Sequence, residues 1–318
     1  MVLLQSDLLG LKSLFKLSQI PTTWLTDTTS SEMDFFIRDQ GAYYGIPISY
    51  GNHMLLYYNK NIVHQVAGSW QALKEQASTL PDEVNILGIN YRSAYTFVTF
   101  WHAFGDRLVH NDQINLNNKS TIDTLNFFQE NTANHIFNPL CDYSCVSGAF
   151  FAGKYAYAIN GDWEFENAKS ELGDALGIAQ LPSINGKAMR SMKSALVLAF
   201  PGHEMAPKKR RGLEKFSHFI QSPEFAKNVF HQLHAMPANK DIKDALVARA
   251  DTSYQTLIEQ LKHSRPMPPS AAMVSAWDSI AKGFRLFLDG HGSAEDIARY
   301  MQGGADYERT KVLNREQP

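Results

Sequence analysis

The 318-residue chain carries only two cysteines, which excludes a disulfide-rich scaffold and a four-cysteine zinc site. No apolar run approaches the ~18 residues that a membrane-spanning helix needs. Neither sign of charge is in excess: 30 basic against 32 acidic residues give a net charge of −2, with an isoelectric point near 6.6. Broad electrostatic binding to a phosphate backbone is therefore disfavoured. The glycine-rich phosphate loops GxxxxGK[ST] and GxGxxG are missing, as is the GxSxG nucleophile elbow. His231 and His234 stand three apart with no third ligand in view and no HExxH motif, so a metal site is not expected. No carboxylate pair stands out by spacing, which leaves glycoside hydrolysis without support. The expectation is a protein that is not an enzyme and carries no cofactor.

Met1-Val2-Leu3-Leu4 lacks a positively charged leader, and Asp7, Lys12 and Lys16 interrupt any signal-peptide core. A chain beginning this way is not expected to be secreted as written. Cys141 and Cys145 are four apart, not the two-residue gap of a redox CxxC pair. One helical turn could bring them to disulfide distance, although two unpaired thiols are the favoured reading.

What is present is a generous apolar and aromatic content, 44% hydrophobic and 12% aromatic. That suits a sizeable core in about two domains, and surplus aromatics suit flat apolar ligands or sugar faces. Leu8, Leu11, Leu14 and Phe15 recur at helical spacing over 6–20, ended by Pro21. Residues 43–50 read as a short strand that Pro47 demotes to an edge or a strand start, and Met54–Tyr58 as a buried strand. Helices and strands then alternate: helix 69–79 behind a serine cap, strand 84–89, helix 93–104, helix 120–133, a short helix 144–153, strand 156–160, helix 162–170 and strand 176–179. Alternation of this kind predicts an α/β protein with parallel strands. From 213 the chain reads as helices, 213–221, 223–233, 240–249, 251–262, 271–289 and 293–301. Lys208-Lys209-Arg210-Arg211 is the one basic cluster, read as a solvated face at a helix start. Trp70 and Trp101 read as packing residues.

Three segments carry a resemblance. They are Tyr44-Gly45-Ile46-Pro47-Ile48 with Leu56-Tyr57-Tyr58-Asn59-Lys60; Phe150 through Trp163 with Gly177–Pro182; and Arg265-Pro266-Met267-Pro268 with Trp277, Gly290 and the helix from Ser293. In order and spacing, over roughly 3–305, the chain resembles the family 1 extracellular solute-binding proteins of ABC transporters, the maltose-binding-protein type. The resemblance implies a two-lobe periplasmic-binding-protein fold with ligand in the cleft, closing about a hinge. Lobe one would hold 1–51 and 197–250, and lobe two 52–196 and 251–318. It further implies a periplasmic monomer that passes a carbohydrate or related polar solute to ABC permease subunits.

In sugar-binding members, aromatic rings stack on pyranose faces while polar groups bond the hydroxyls. Matched by position, Trp163 and Trp277 are the stacking candidates and Tyr95 a third. Asp7 and Asn52 are polar ligand contacts, and Asp162 either caps the following helix, the favoured reading, or bonds a hydroxyl. Leu8 stands where maltose binders carry a basic residue, which argues against maltose itself. Family members open lobe one with a strand, helix and strand that this chain lacks, so lobe one is expected to be incomplete, with an unpaired strand edge. The alternative reading is a truncated, non-transporting relic or interaction protein of the same fold.

Overall fold

The computed structural model describes residues 1–105, 107–202, 207–233 and 235–314. Two mixed sheets organise it. The first contains β1 (Val2–Gln5), β2 (Gly45–Gly51), β7 (Met192–Ala199) and β8 (Met236–Pro237) in the order β1-β7-β2-β8, with β9 (Arg265–Pro266) beside the start of β7. The second contains β3 (Met54–Asn59), β4 (Asn85–Ile89), β5 (Tyr155–Gly161) and β6 (Leu176–Ala179) in the order β6-β3-β5-β4. The helices of two turns or more are α1 (Trp70–Ala77), α2 (Ala94–Trp101), α3 (Lys119–Ala133), α4 (Phe165–Leu172), α5 (Pro207–Ile220), α6 (Pro223–Leu233), α7 (Lys240–Val247), α8 (Thr252–His263), α9 (Ala271–Leu288) and α10 (Ala294–Asn314).

β3 is apolar from Met54 to Tyr57 because both its faces are covered. Met54 and Leu56 enter a core with Trp70, Phe97, Phe128 and Phe284, whereas Leu55 and Tyr57 enter the opposite core with Phe150 and Phe165. That is the period-2 alternation of a strand between two layers. Trp70 and Trp101 are packing residues: both are buried, and their indoles donate to Asn131 Oδ1 at 2.9 Å and Thr121 Oγ1 at 3.0 Å. Ser69 caps α1 through the Ala72 amide at 3.2 Å.

Several expectations are corrected. Residues 6–20 form no long helix but a 3-10 turn, Ser6–Leu11. Leu17 and Ile20 instead make isolated bridges to Pro201 and Tyr43, and Gly10 lies so close to the chain at Ser270 that a Cβ there would fall 2.3 Å from its carbonyl. The strands are mainly antiparallel, with β4–β5 and β7–β9 the parallel pairs, because the chain crosses between sheets instead of returning through one helix. β2 is interior, flanked by β7 and β8, and Pro47 sits where the register with β7 shifts at Leu196/Val197. β7 itself has no counterpart among the expected strands. β1 pairs only with β7 among the described strands, and Leu3 is 52% exposed. Lys208–Arg211 are exposed at the start of α5, and His231 is exposed. His234 lies outside the described residues. Among the described residues no helix is long and apolar enough to cross a membrane.

Cys141 and Cys145 are bonded, not free thiols. The helical turn leading into Cys145–Ala149 sets their Cα atoms 5.2 Å apart, inside the range a disulfide spans. So short a closed loop contributes about 2 kcal/mol through the unfolded chain's entropy. Cys141→Ser/Cys145→Ser should lower unfolding free energy by about that amount, read as a shift in denaturant midpoint. Wild-type protein in reductant should match it.

Candidate functional site

The chain passes from the first sheet to the second at Gly51-Asn52-His53, between β2 and β3. Asn52 takes a left-handed φ of 54°, and Gly51 one of 148°. A side chain at Gly51 would place its Cβ 2.3 Å from Asp162 Oδ2, so this crossing accepts only glycine. Asp162 explains the closeness. Its carboxylate accepts from the amides of Asn52 at 3.0 Å and His53 at 3.3 Å, and lies 3.0 Å from His53 Nδ1. The Nε2 of the buried His53 donates to the Leu257 carbonyl on α8 at 3.1 Å. Asp162 thus does not cap the helix after it. The preceding residue, Gly161, holds the cap position with no side-chain bond, while the carboxylate secures the crossing.

The return crossing before β7 is tied to the same segment. Ser191 Oγ accepts from Met54 N at 2.8 Å, and Asn52 Nδ2 donates to Ser194 Oγ at 2.9 Å, which in turn donates to Gln5 Oε1 at 2.7 Å. Tyr95, on the first turn of α2, directs its hydroxyl at the Asn52 and Met192 carbonyls. Burial raises the Tyr95 phenol above its ordinary value, so it stays protonated and donating.

The aromatic rings form one contiguous array. Tyr95 stacks on Trp277 with centroids 5.7 Å apart at 26°, and meets Trp163 edge to face at 6.3 Å. At that separation no sugar ring fits between Tyr95 and Trp277. Trp163, 47% exposed, presents its free surface instead. Its indole donates to the Tyr143 hydroxyl at 3.0 Å, which donates to Glu164 Oε2 at 2.9 Å. Tyr143 lies inside the loop closed by Cys141–Cys145. Beside Trp163 is a cavity of about 240 Å³ lined by Asp162 and Trp163, by Asn52 and Ser194 of the crossings, and by Gln5 and Ser49 of the first sheet. A larger cavity of about 860 Å³, between the Arg38–Asp39 strand and the Val109–His110 strand, shares none of these six lining residues but reaches the arrangement at Met192, whose carbonyl accepts from Tyr95.

Asp7 joins the array from the 3-10 turn after β1. Burial pushes its carboxyl above the ordinary carboxylate range, opposed by hydrogen bonds from its own and Leu8's amides and from the Trp277 indole. A carboxylate whose folded-state value is raised costs stability once ionised, and that cost fades as pH falls through the raised value. Asp7→Asn should therefore raise the melting temperature at neutral pH and lose that advantage in acid, as thermal denaturation at the two pH values would register.

All six residues singled out from sequence, Trp163, Trp277, Tyr95, Asp7, Asn52 and Asp162, meet in one place between the sheets. Gln5, Ser194, His53 and Tyr143 belong to the same network and were not anticipated. Tyr143, between the two cysteines, and His53, next to Asn52, had only proximity as a signal. Among the described residues no group of three or more His, Cys, Asp and Glu side chains is placed to hold a metal.

Two α/β bodies joined by several crossings, with an aromatic and polar site where the crossings meet, define the class of two-lobed periplasmic binding folds. The chain belongs to the bacterial extracellular solute-binding proteins, whose family model matches residues 9–256. It is similar to the maltooligosaccharide ABC transporter solute-binding lipoproteins of two Streptococcus pneumoniae strains, at 23% identity over 274 residues, 79% of this chain. The matched chain spans 62% of those relatives' length. In structure it is similar to the maltose/maltodextrin-binding domain MalE from Bdellovibrio bacteriovorus bound to maltotriose. The TM-score is 0.83 at 22% identity, covering 96% of this chain and 84% of that one.

Proposed function

We propose that this protein is the solute-binding component of an ABC transporter, taking a neutral oligosaccharide between its lobes outside the cytoplasm, in the periplasm or its equivalent, and handing it as a monomer to permease subunits. The observation that carries this reading is the exposed indole face of Trp163 beside a polar cavity shared by both bodies. The apolar face of a sugar meets the ring while its hydroxyls reach Gln5, Asn52, Ser194 and Asp162. Asp7, Tyr95 and Trp277 form the support behind it. The cavity lining holds a carboxylate and no lysine or arginine, which favours neutral over acidic sugars. The relatives' maltooligosaccharides point to α-glucan chains. In this reading lobe one is 1–51 with 197–250, and lobe two is 52–196 with 251–318, β7 straddling the second boundary.

Titration calorimetry and tryptophan fluorescence with maltose, maltotriose, maltotetraose, cellotriose and glycerol phosphate test the proposal. Saturable one-to-one binding of a malto-oligosaccharide, tighter for the trisaccharide than for maltose, is the expected outcome. Silence across the panel, with no ligand-induced rise in melting temperature, would remove it.

A further inference from the structure

The basic cluster of α5 takes no part in the site. Lys208, Lys209, Arg210, Arg211 and Lys215 are all exposed, and none makes an ion pair among the described residues. They stand out in a chain of net charge −2. With Glu214 included, this one stretch is strongly positive and the remainder correspondingly negative, so the molecule is electrically lopsided.

The same helix exposes two large rings. Phe216 and Phe219 are 39% and 51% exposed, in contact at 6.4 Å, and Phe219 extends the patch to Phe225 at 5.6 Å. The opposite face is anchored. Leu213 and Ile220 pack with Trp24 and Ile46, and His218 Nε2 donates to the Thr23 carbonyl at 2.7 Å. At helical spacing Lys208, Lys215 and Phe219 fall on one outward face, with Phe216 beside them. A solvated charged face has no use for paired exposed phenylalanines, and an acidic protein would be met by the cations alone. Basic residues with phenylalanine on one outward helix face are what an interfacial helix presents to anionic lipid, the cations to headgroups and the rings to the acyl boundary.

We infer that the outward face of α5 docks on an anionic membrane surface, through Lys208, Arg211 and Lys215 on the headgroups and Phe216 and Phe219 at the boundary beneath. The negative remainder of the molecule is repelled from the same surface, so contact also fixes orientation. This surface is separate from the cavity beside Trp163 and does not depend on which solute is bound.

Co-sedimentation with vesicles tests it, using phosphatidylcholine alone and phosphatidylcholine with about 30% phosphatidylglycerol. The whole chain should bind only the anionic vesicles at low salt and be released at about 0.5 M salt. Lys208→Gln/Lys215→Gln should weaken binding by about 25-fold. Phe216→Ser/Phe219→Ser should weaken it by about 10-fold or more, with far-UV circular dichroism and melting temperature retained in both variants. Equal binding to neutral vesicles, no binding to anionic ones, or unchanged binding by the two folded variants would overturn the inference. So would stronger retention by single-stranded DNA than by anionic vesicles at the same salt.

Discussion

Trp163→Ala should weaken oligosaccharide binding by about 30- to 100-fold, corresponding to ~2–3 kcal/mol, while leaving the melting temperature almost unchanged. The two halves of that expectation have separate causes. Trp163 is half exposed and meets Tyr95 only edge to face, so its removal opens no sealed cavity in a core. Its free face is the flat apolar surface beside the cavity, and a truncated side chain leaves a sugar's C–H face against water. Calorimetry should record the loss, and Trp163→Phe should recover a substantial part of it because a ring remains. An alanine variant that binds as tightly as wild type would place the sugar elsewhere and dissolve the stacking argument.

Asp162→Ala should cost about 2–4 kcal/mol of unfolding free energy, the largest stability effect expected of any residue at the site. One carboxylate accepts two backbone amides of the crossing and faces the ring of a histidine that is wholly buried. Alanine leaves both amides without that acceptor, and unmade polar contacts of this kind carry their full desolvation cost. Asp162→Asn should fall between, since one amide oxygen still accepts. Denaturant titration at constant slope reads the effect, and a loss below about 1 kcal/mol would show that the crossing is held by other means.

Much of this was legible in the amino-acid order. Continuous apolar runs such as Met54–Tyr58 mark strands covered on both faces, and serine and asparagine caps mark helices whose own side chains close the first turn. The grouping of the six candidate residues was legible through family likeness, since neither spacing nor composition brings Asp7 near Trp277. The stretch 6–20 misleads because its leucines follow a helical period while neighbouring strands and the Ser270 backbone claim its polar groups and space. β7 was missed because Lys193 and Ser194 interrupt the apolar pattern at its start. Both are buried there by partners distant in sequence, Lys193 pairing with Glu32 at 2.8 Å. The role of Asp162 was hidden for the same reason, as its partners lie more than a hundred residues away.

Tyr143 sits within the short covalent ring made by Cys141 and Cys145, and it is the only group fastening the Trp163 indole nitrogen among the described contacts. The thiol balance of the surroundings is therefore linked to the ring proposed to stack on sugar. In an oxidising environment the indole is held at a set tilt beside the cavity. In a reducing one the loop should slacken and the indole's bond to Tyr143 weaken while both sheets remain intact. Capture of solute would then fade well before the architecture does, confining full retention to places where such a bond survives.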